Sequence, residues 1–504
     1  MLSLSFAPLV GRVLPFFLFT TVLSKPASFS VSIRGGGAKF VDGALTADNI
    51  GISTTDNTGY FTEVTLGGLN LTLNLDTGSS DLVVIRQGRD INLTNSTTVQ
   101  ATEGFGIGDA TGNVAFADLQ LGDFTIQSQA FVDVTQAQDL GSSGDGIIGM
   151  SFNAPSAVIG SLTQAFGADA VAQLGNTPMP ALFSQQQDLP DSFDVLLGRA
   201  DELGDAAQGT FLIGEHDDNF QSVTDAPQLT SVSTDHWSVV LDAMNINGKP
   251  FQFNASRIQG VPAGKVAAVL DTGFSFPPLP PPAVDAIYST IEGAVFDRNQ
   301  SLWVVPCNSS LSLSFVFGGQ EYFVHPLDLT FPVSGPLDGP GSQNVTVCVN
   351  TFQYLTLDPT KFVGFDLILG DAFLRNVYAS FNYGDQNTNP FVQLVTTTPD
   401  PNTAIQEFQQ QRGATLAKLP PTVDPSAVAN KEGEQTDSTG PSASQTRAPG
   451  LQSSTSSGAS STSTAQNGQA TDANKKNGAV RASAVWTGVC GAYVLYMFSN
   501  VFML

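Results

Sequence analysis

Two copies of the tripeptide Asp-Thr-Gly stand out among the carboxylates of this chain. They are Asp76-Thr77-Gly78 and Asp271-Thr272-Gly273, 195 residues apart. Each closes an apolar strand pattern, Leu73-Asn74-Leu75 before the first and Ala267-Ala268-Val269-Leu270 before the second. Two carboxyls held face to face at about 3 Å cannot both ionise, so one keeps a proton that the other gives up. Such a pair supplies an acid and a base at one site, which is what activating a water molecule requires. A lone Asp-Thr-Gly reads as a turn, but here each copy has a partner. Asp145-Gly146-Ile147-Ile148-Gly149 follows the first, and Asp366-Leu367-Ile368-Leu369-Gly370-Asp371 follows the second. The order "apolar strand, Asp-Thr-Gly, then apolar-apolar-Gly" thus occurs once per half, an internal repeat of long period.

The elements that must hold these carboxylates read as β-strands. From about Thr58 to Val395, short segments such as Tyr60–Leu66, Ala115–Leu121, Gly209–Gly214 and Trp237–Leu241 are apolar or alternate apolar and polar residues. The 49 glycines and 29 prolines fit a turn-rich β protein, with short helices such as Pro282–Tyr288. The expected fold class is mostly β and bilobal, with one carboxylate per lobe and a cleft between.

Composition removes several functions. With 20 basic against 45 acidic residues and a net charge of −25, the chain has no cationic footprint for nucleic acid. An acidic surface suits work at low pH, where much of that charge is lost. The three histidines, His216, His236 and His325, show no metal-ligand spacing, so no metal and no cofactor is expected. His236, beside Trp237, reads as a strand residue. No Gly-x-Ser-x-Gly elbow fits a strand-to-helix turn.

The ends of the chain read as export and attachment signals. Residues 1–24 place Arg12 before the apolar run Val13–Phe19, with small residues after it, as in a secretory signal peptide. Residues 25–57 are a short N-terminal or pro segment. Residues 58–225 and 226–398 form the first and second lobes. Residues 399–483 are rich in Ser, Thr, Ala, Gln and Pro and read as a disordered stalk. Residues 484–504 are mostly apolar, with Lys475, Lys476 and Arg481 ahead of them. That order suits a cleaved GPI-attachment signal better than a retained transmembrane helix, with Asn477 as the attachment candidate and Asn467 behind it. Seven sequons support export: Asn70, Asn92, Asn95, Asn254, Asn299, Asn308 and Asn344. In an oxidising compartment Cys307 and Cys348, 41 residues apart, are expected to pair, closing a loop worth roughly 3–4 kcal/mol on the chain-entropy model. Cys490 is left over in the apolar tail. The expected location is extracellular, GPI-anchored at the cell surface and held to membrane or cell wall.

These motifs resemble those of the pepsin-like aspartic proteases. Asp76–Leu82 and Asp271–Gly273 look like the family's two active-site motifs. Phe105-Gly106-Ile107-Gly108-Asp109-Ala110-Thr111-Gly112 resembles the flap hairpin that closes over substrate. Trp237–Leu241 resembles the strand opening the second lobe, Cys307 and Cys348 match that lobe's disulfide, and Ile368–Arg375 resembles the closing motif. The stalk and tail resemble those of fungal secreted and anchored members. The resemblance implies a monomeric aspartic endopeptidase acting on extended polypeptides, with Asp76 and Asp271 catalytic and Phe105, Gly106 and Ile107 over the substrate. Thr77 and Thr272 are expected to lock the two loops through buried hydroxyls. Gly78 and Gly273 leave room for close approach, and Ser79 holds the outer oxygen of Asp76. The competing readings are a catalytically weak relative serving as a surface binding protein, and a wall protein whose stalk is its main function.

Three positions depart from the family pattern. Phe105 stands where the flap Tyr is usual, Val83 where a Trp is usual, and Phe274 where a hydroxyl residue follows the second Gly. Losing Tyr and Trp together leaves no orphaned polar partner. Phe274 leaves Asp271 one outer hydrogen bond short, which disfavours its charged form and predicts a less acid-favouring pH profile than pepsin's. The basic prosegment is also short: Lys25, Arg34 and Lys39 are its only cations.

Overall fold

The computed structural model describes residues 59–429, apart from 107, 139–143, 173, 204–208, 338–342, 356 and 361, together with the backbone of Arg34 and Gly35. Residues 1–24, read as a signal peptide, the Ser/Thr-rich segment after residue 429, the attachment candidates Asn477 and Asn467 and the apolar tail lie outside the described residues.

The repeat seen in sequence is a repeated strand pairing. In the first lobe, strand Leu69–Asp76 runs parallel to Gly146–Gly149, with Asp76 opposite Gly149. In the second, Val266–Leu270 runs parallel to Leu367–Leu369, with Leu270 opposite Leu369. The apolar-apolar-Gly segment is thus the strand that holds the Asp-Thr-Gly strand from the side. Gly146–Gly149, Val266–Leu270 and Leu367–Leu369 are buried along their whole length and carry only apolar residues, as strands covered on both faces do, whereas Leu69–Asp76 alternates.

The first lobe is an eight-stranded sheet that includes the long hairpin of Asn95–Gly104 and Asp109–Leu121. The second lobe is divided among smaller sheets. A five-stranded sheet joins the halves: Thr210–Ile213 and Ser192–Leu196 from the first pair with Val377–Asn382, Phe391–Thr396 and Leu229–Thr230. On it sits an aromatic cluster of Phe152, Phe193, Trp237, Phe381 and Tyr383, with Trp237 and Phe152 ring centres 4.4 Å apart. Trp237 Nε1 and Tyr383 OH both donate to the Met150 carbonyl, at 3.0 and 2.7 Å. Cys307 and Cys348 are joined in a disulfide, as expected.

The C-terminal boundary differs from the sequence reading. Composition starts the stalk at residue 399, but a helix spans Pro401–Leu416 and the described chain continues to Ala429. Asp400 caps it, accepting from the Asn402 and Thr403 amides. Its inner face is Ala404, Phe408, Arg412 and Thr415, all buried. Their spacing of four, four and three residues is one helical stripe. It is short and carries an arginine, so a compositional average over 399–483 conceals it. No helix among the described residues is long and apolar enough to cross a membrane.

Candidate active site

The two Asp-Thr-Gly loops meet tip to tip. Thr77 Oγ1 donates to the Leu270 carbonyl at 2.8 Å, and Thr272 Oγ1 donates to the Leu75 carbonyl at 2.5 Å. Each hydroxyl also accepts the other threonine's amide at 3.0 Å. Four hydrogen bonds between segments 195 residues apart thus fix the separation of the adjacent carboxyls, with both threonines buried.

Glycine is required next to each carboxyl. A Cβ on Gly78 would stand 2.2 Å from Asp271 Oδ2, and one on Gly273 would stand 2.3 Å from Asp76 Oδ1. Each loop therefore lays bare backbone against the opposite carboxylate. Asp76 Oδ1 accepts from the Gly78 and Ser79 amides at 2.8 and 3.2 Å, and its Oδ2 accepts from the Ser79 hydroxyl at 2.7 Å. Asp271 Oδ1 accepts from the Gly273 amide at 2.8 Å, with no hydroxyl at position 274. Both carboxyls are 7% exposed and hydrogen-bonded to each other. Burial first, then the neighbouring Asp76 charge, pushes Asp271 well above the usual carboxylate range.

The hairpin meets the second Asp-Thr-Gly segment at Phe274. Its turn is closed by the Phe105 amide donating to the Gly108 carbonyl at 3.0 Å, with Gly108 at φ +80°. Phe105 packs on the cluster containing Val83, Phe116, Val132 and Ile147, so ring and valine share one apolar surface. Gly106 faces Phe274 of the second motif: a Cβ there would be 2.5 Å from the ring's Cζ. Ile107 lies outside the described residues.

Several groups at this site were not singled out by the sequence. His236 precedes strand Ser238–Leu241 instead of lying in it, and its Nδ1 donates to the Gly78 carbonyl at 3.1 Å. Burial lowers its pKa. Asp371 is fully buried, with a hydrogen-bond partner on neither oxygen among the described residues. Burial raises its pKa well up against the pull of Arg375, and Asp271 and Asp76 add to the rise. Asp81 accepts from Ser156 Oγ at 2.5 Å and the Val158 amide at 3.1 Å, and also bonds Glu103 on the hairpin arm. Desolvation raises both acids. Asp81 and Asp371 stood inside quoted motifs, but the neighbours that shift them are remote in sequence. All seven sequon asparagines are exposed.

The family profile of "Eukaryotic aspartyl protease" matches residues 59–390. The chain is 29% identical over 177 residues to the Aspergillus fumigatus aspartic-type endopeptidase ctsD, covering 35% of this chain and 32% of that protein. It is 23% identical over 375 residues to the major aspartyl peptidase 1 of Cryptococcus neoformans, covering 68% of this chain and 70% of that one. Against a probable vacuolar protease A of Arthroderma benhamiae the identity is 27% over 362 residues, 67% and 79% of the two chains. The crystal structure of the Irpex lacteus aspartic proteinase superposes with a TM-score of 0.54 at 18% identity, covering 75% of this chain and all of that one. The chain therefore belongs to the eukaryotic aspartyl protease family, endopeptidases of bilobal, mostly β fold that act on polypeptides.

Proposed function

We propose that Asp76 and Asp271 are the catalytic pair of an aspartic endopeptidase that works at acid pH. The observation that carries this reading is the glycine-lined contact of two buried carboxyls held by reciprocal threonine bonds. Asp76, with three hydrogen bonds to its oxygens, is the ionised partner; Asp271, raised by burial, holds the proton. A water between them loses a proton to Asp76 as its oxygen attacks the peptide carbon, while Asp271 protonates the carbonyl oxygen. The gem-diol then collapses: Asp76 returns its proton to the nitrogen as the C–N bond breaks, and a hydroxyl proton goes back to Asp271. Both groups end as they began. The lack of a hydroxyl at position 274 is what supports activity reaching less acid conditions than pepsin's.

The same reading includes the finer expectations from sequence. Secretion follows from the signal at 1–24, the exposed sequons and secretory-route relatives such as vacuolar protease A. The enzyme acts as a monomer in which the first lobe meets the second near residue 226. A stalk after residue 429 and a GPI anchor near Asn477 hold it to the cell surface. The test is cleavage of denatured haemoglobin or casein by the full-length chain from pH 2 to 7, beside Asp76→Asn and Asp271→Asn, with and without pepstatin. Turnover that pepstatin blocks and both variants lose is the expected result. A folded wild type inert throughout, also after acid incubation, would leave the binding-protein reading in its place.

A further inference from the structure

We propose that Phe274 is a specificity-determining residue of this site, closing the cleft beside Asp271 to bulky substrate side chains. The inference rests on the protease reading above. Phe274 directly follows the second Asp-Thr-Gly and reaches the hairpin tip. A methyl on Gly106 would stand 2.5 Å from its Cζ and 2.6 Å from its Cε2, so the ring edge already touches bare flap backbone. The ring therefore bridges flap and second lobe, three residues on from Asp271.

Its base cannot shift. The Phe274 carbonyl accepts from the Asp371 amide at 2.8 Å, and a Cβ on Gly370 would lie 1.9 Å from that same oxygen. Only the side-chain torsions remain free. The half-buried ring rests with Leu357 and Phe362 on Val269, Phe365 and Ile368, so swinging it away forfeits apolar contact. Leu357 Cδ2 would lie 3.8 Å from that same methyl on Gly106, so it extends the same apolar wall toward the flap. A substrate bound as an extended strand between flap tip and carboxyls sends alternate side chains toward each wall. The one passing beside Asp271 meets the Phe274 ring. Gly, Ala or Ser fits there; Leu or Phe does not unless the ring leaves.

The test is cleavage of a randomised peptide library by the full-length chain, wild type beside Phe274→Ala and Phe274→Leu, with melting temperatures to confirm folding. The wild type is expected to restrict one position relative to the scissile bond to small residues. In Phe274→Ala the kcat/KM ratio of Leu over Ala at that position should rise at least tenfold, with Phe274→Leu between. Variants that cleave with the wild-type ranking overturn this proposal alone. A wild type that cleaves nothing overturns the protease reading along with it.

Discussion

Removing the Arg412 side chain tests whether the C-terminal helix is part of the catalytic body. Arg412 is 1% exposed, and all three of its guanidinium nitrogens donate hydrogen bonds. Nε donates to Glu202 at 2.7 Å, Nη1 to the Cys307 carbonyl at 2.9 Å and to Thr330 Oγ1 at 3.1 Å, and Nη2 to the Thr330 carbonyl at 2.8 Å. Its cation also sits 4.9 Å from the Phe408 ring centre. One side chain thus ties the helix to the disulfide strand and to a loop of the first half. Arg412→Ala leaves Glu202 as a buried charge whose other oxygen already lacks a partner among the described residues. Breaking a buried ion pair from one side costs ~3–5 kcal/mol. The two bereft carbonyls add ~1–3 kcal/mol each where water does not reach them. These costs share one site and do not sum, so at least about 3 kcal/mol is expected. Urea unfolding of the oxidised protein reads it out. Arg412→Ala with Glu202→Gln should recover much of the loss, because the stranded charge is gone. A loss under about 1 kcal/mol, or a double variant no more stable than the single, refutes the reasoning.

Asp371→Asn carries a pH signature. The native carboxyl keeps its proton above the unfolded value of about 3.9, so the folded chain binds more protons and its stability falls as pH rises from about 4. The variant should match wild type near pH 3 and be the more stable of the two at pH 7. Melting curves at both values check this, and parallel pH dependences count against it. Thr272→Val removes the donor to the Leu75 carbonyl and the acceptor of the Thr77 amide. A stability loss of ~1–3 kcal/mol is expected from those buried groups, with a fall in kcat larger than any change in KM. An unchanged kcat would show that the threonine pair does not set the carboxyl geometry.

Local pattern carried much of this fold. Tyr60–Leu66 is a strand over the same residues as its sequence reading, and the helix read at Pro282–Tyr288 starts one residue earlier, at Pro281. Both were legible because neighbouring residues carry their own periodicity. The doubled Asp-Thr-Gly was legible for a related reason: each copy brings its supporting strand in a fixed order. The helix at Pro401–Leu416 was not, since its buried stripe is diluted by Gln, Asn and Thr on the outer face. The partners that bury Arg412, Glu202 and the Thr330 carbonyl, come from parts of the chain 210 and 82 residues away.

The carboxyl repeat, the bilobal β architecture and the family all follow from the linear chain, because they reside in short apolar runs and in the residues those runs end on. How each acid behaves does not. Asp271, Asp371 and the Asp81–Glu103 pair owe their raised pKa values chiefly to burial, which no local segment encodes. Folding also brought the Phe274 ring to Gly106 and the His236 ring to the Gly78 carbonyl, across 168 and 158 residues of chain. Contacts between groups that far apart in the chain exist only once the two lobes have closed on each other.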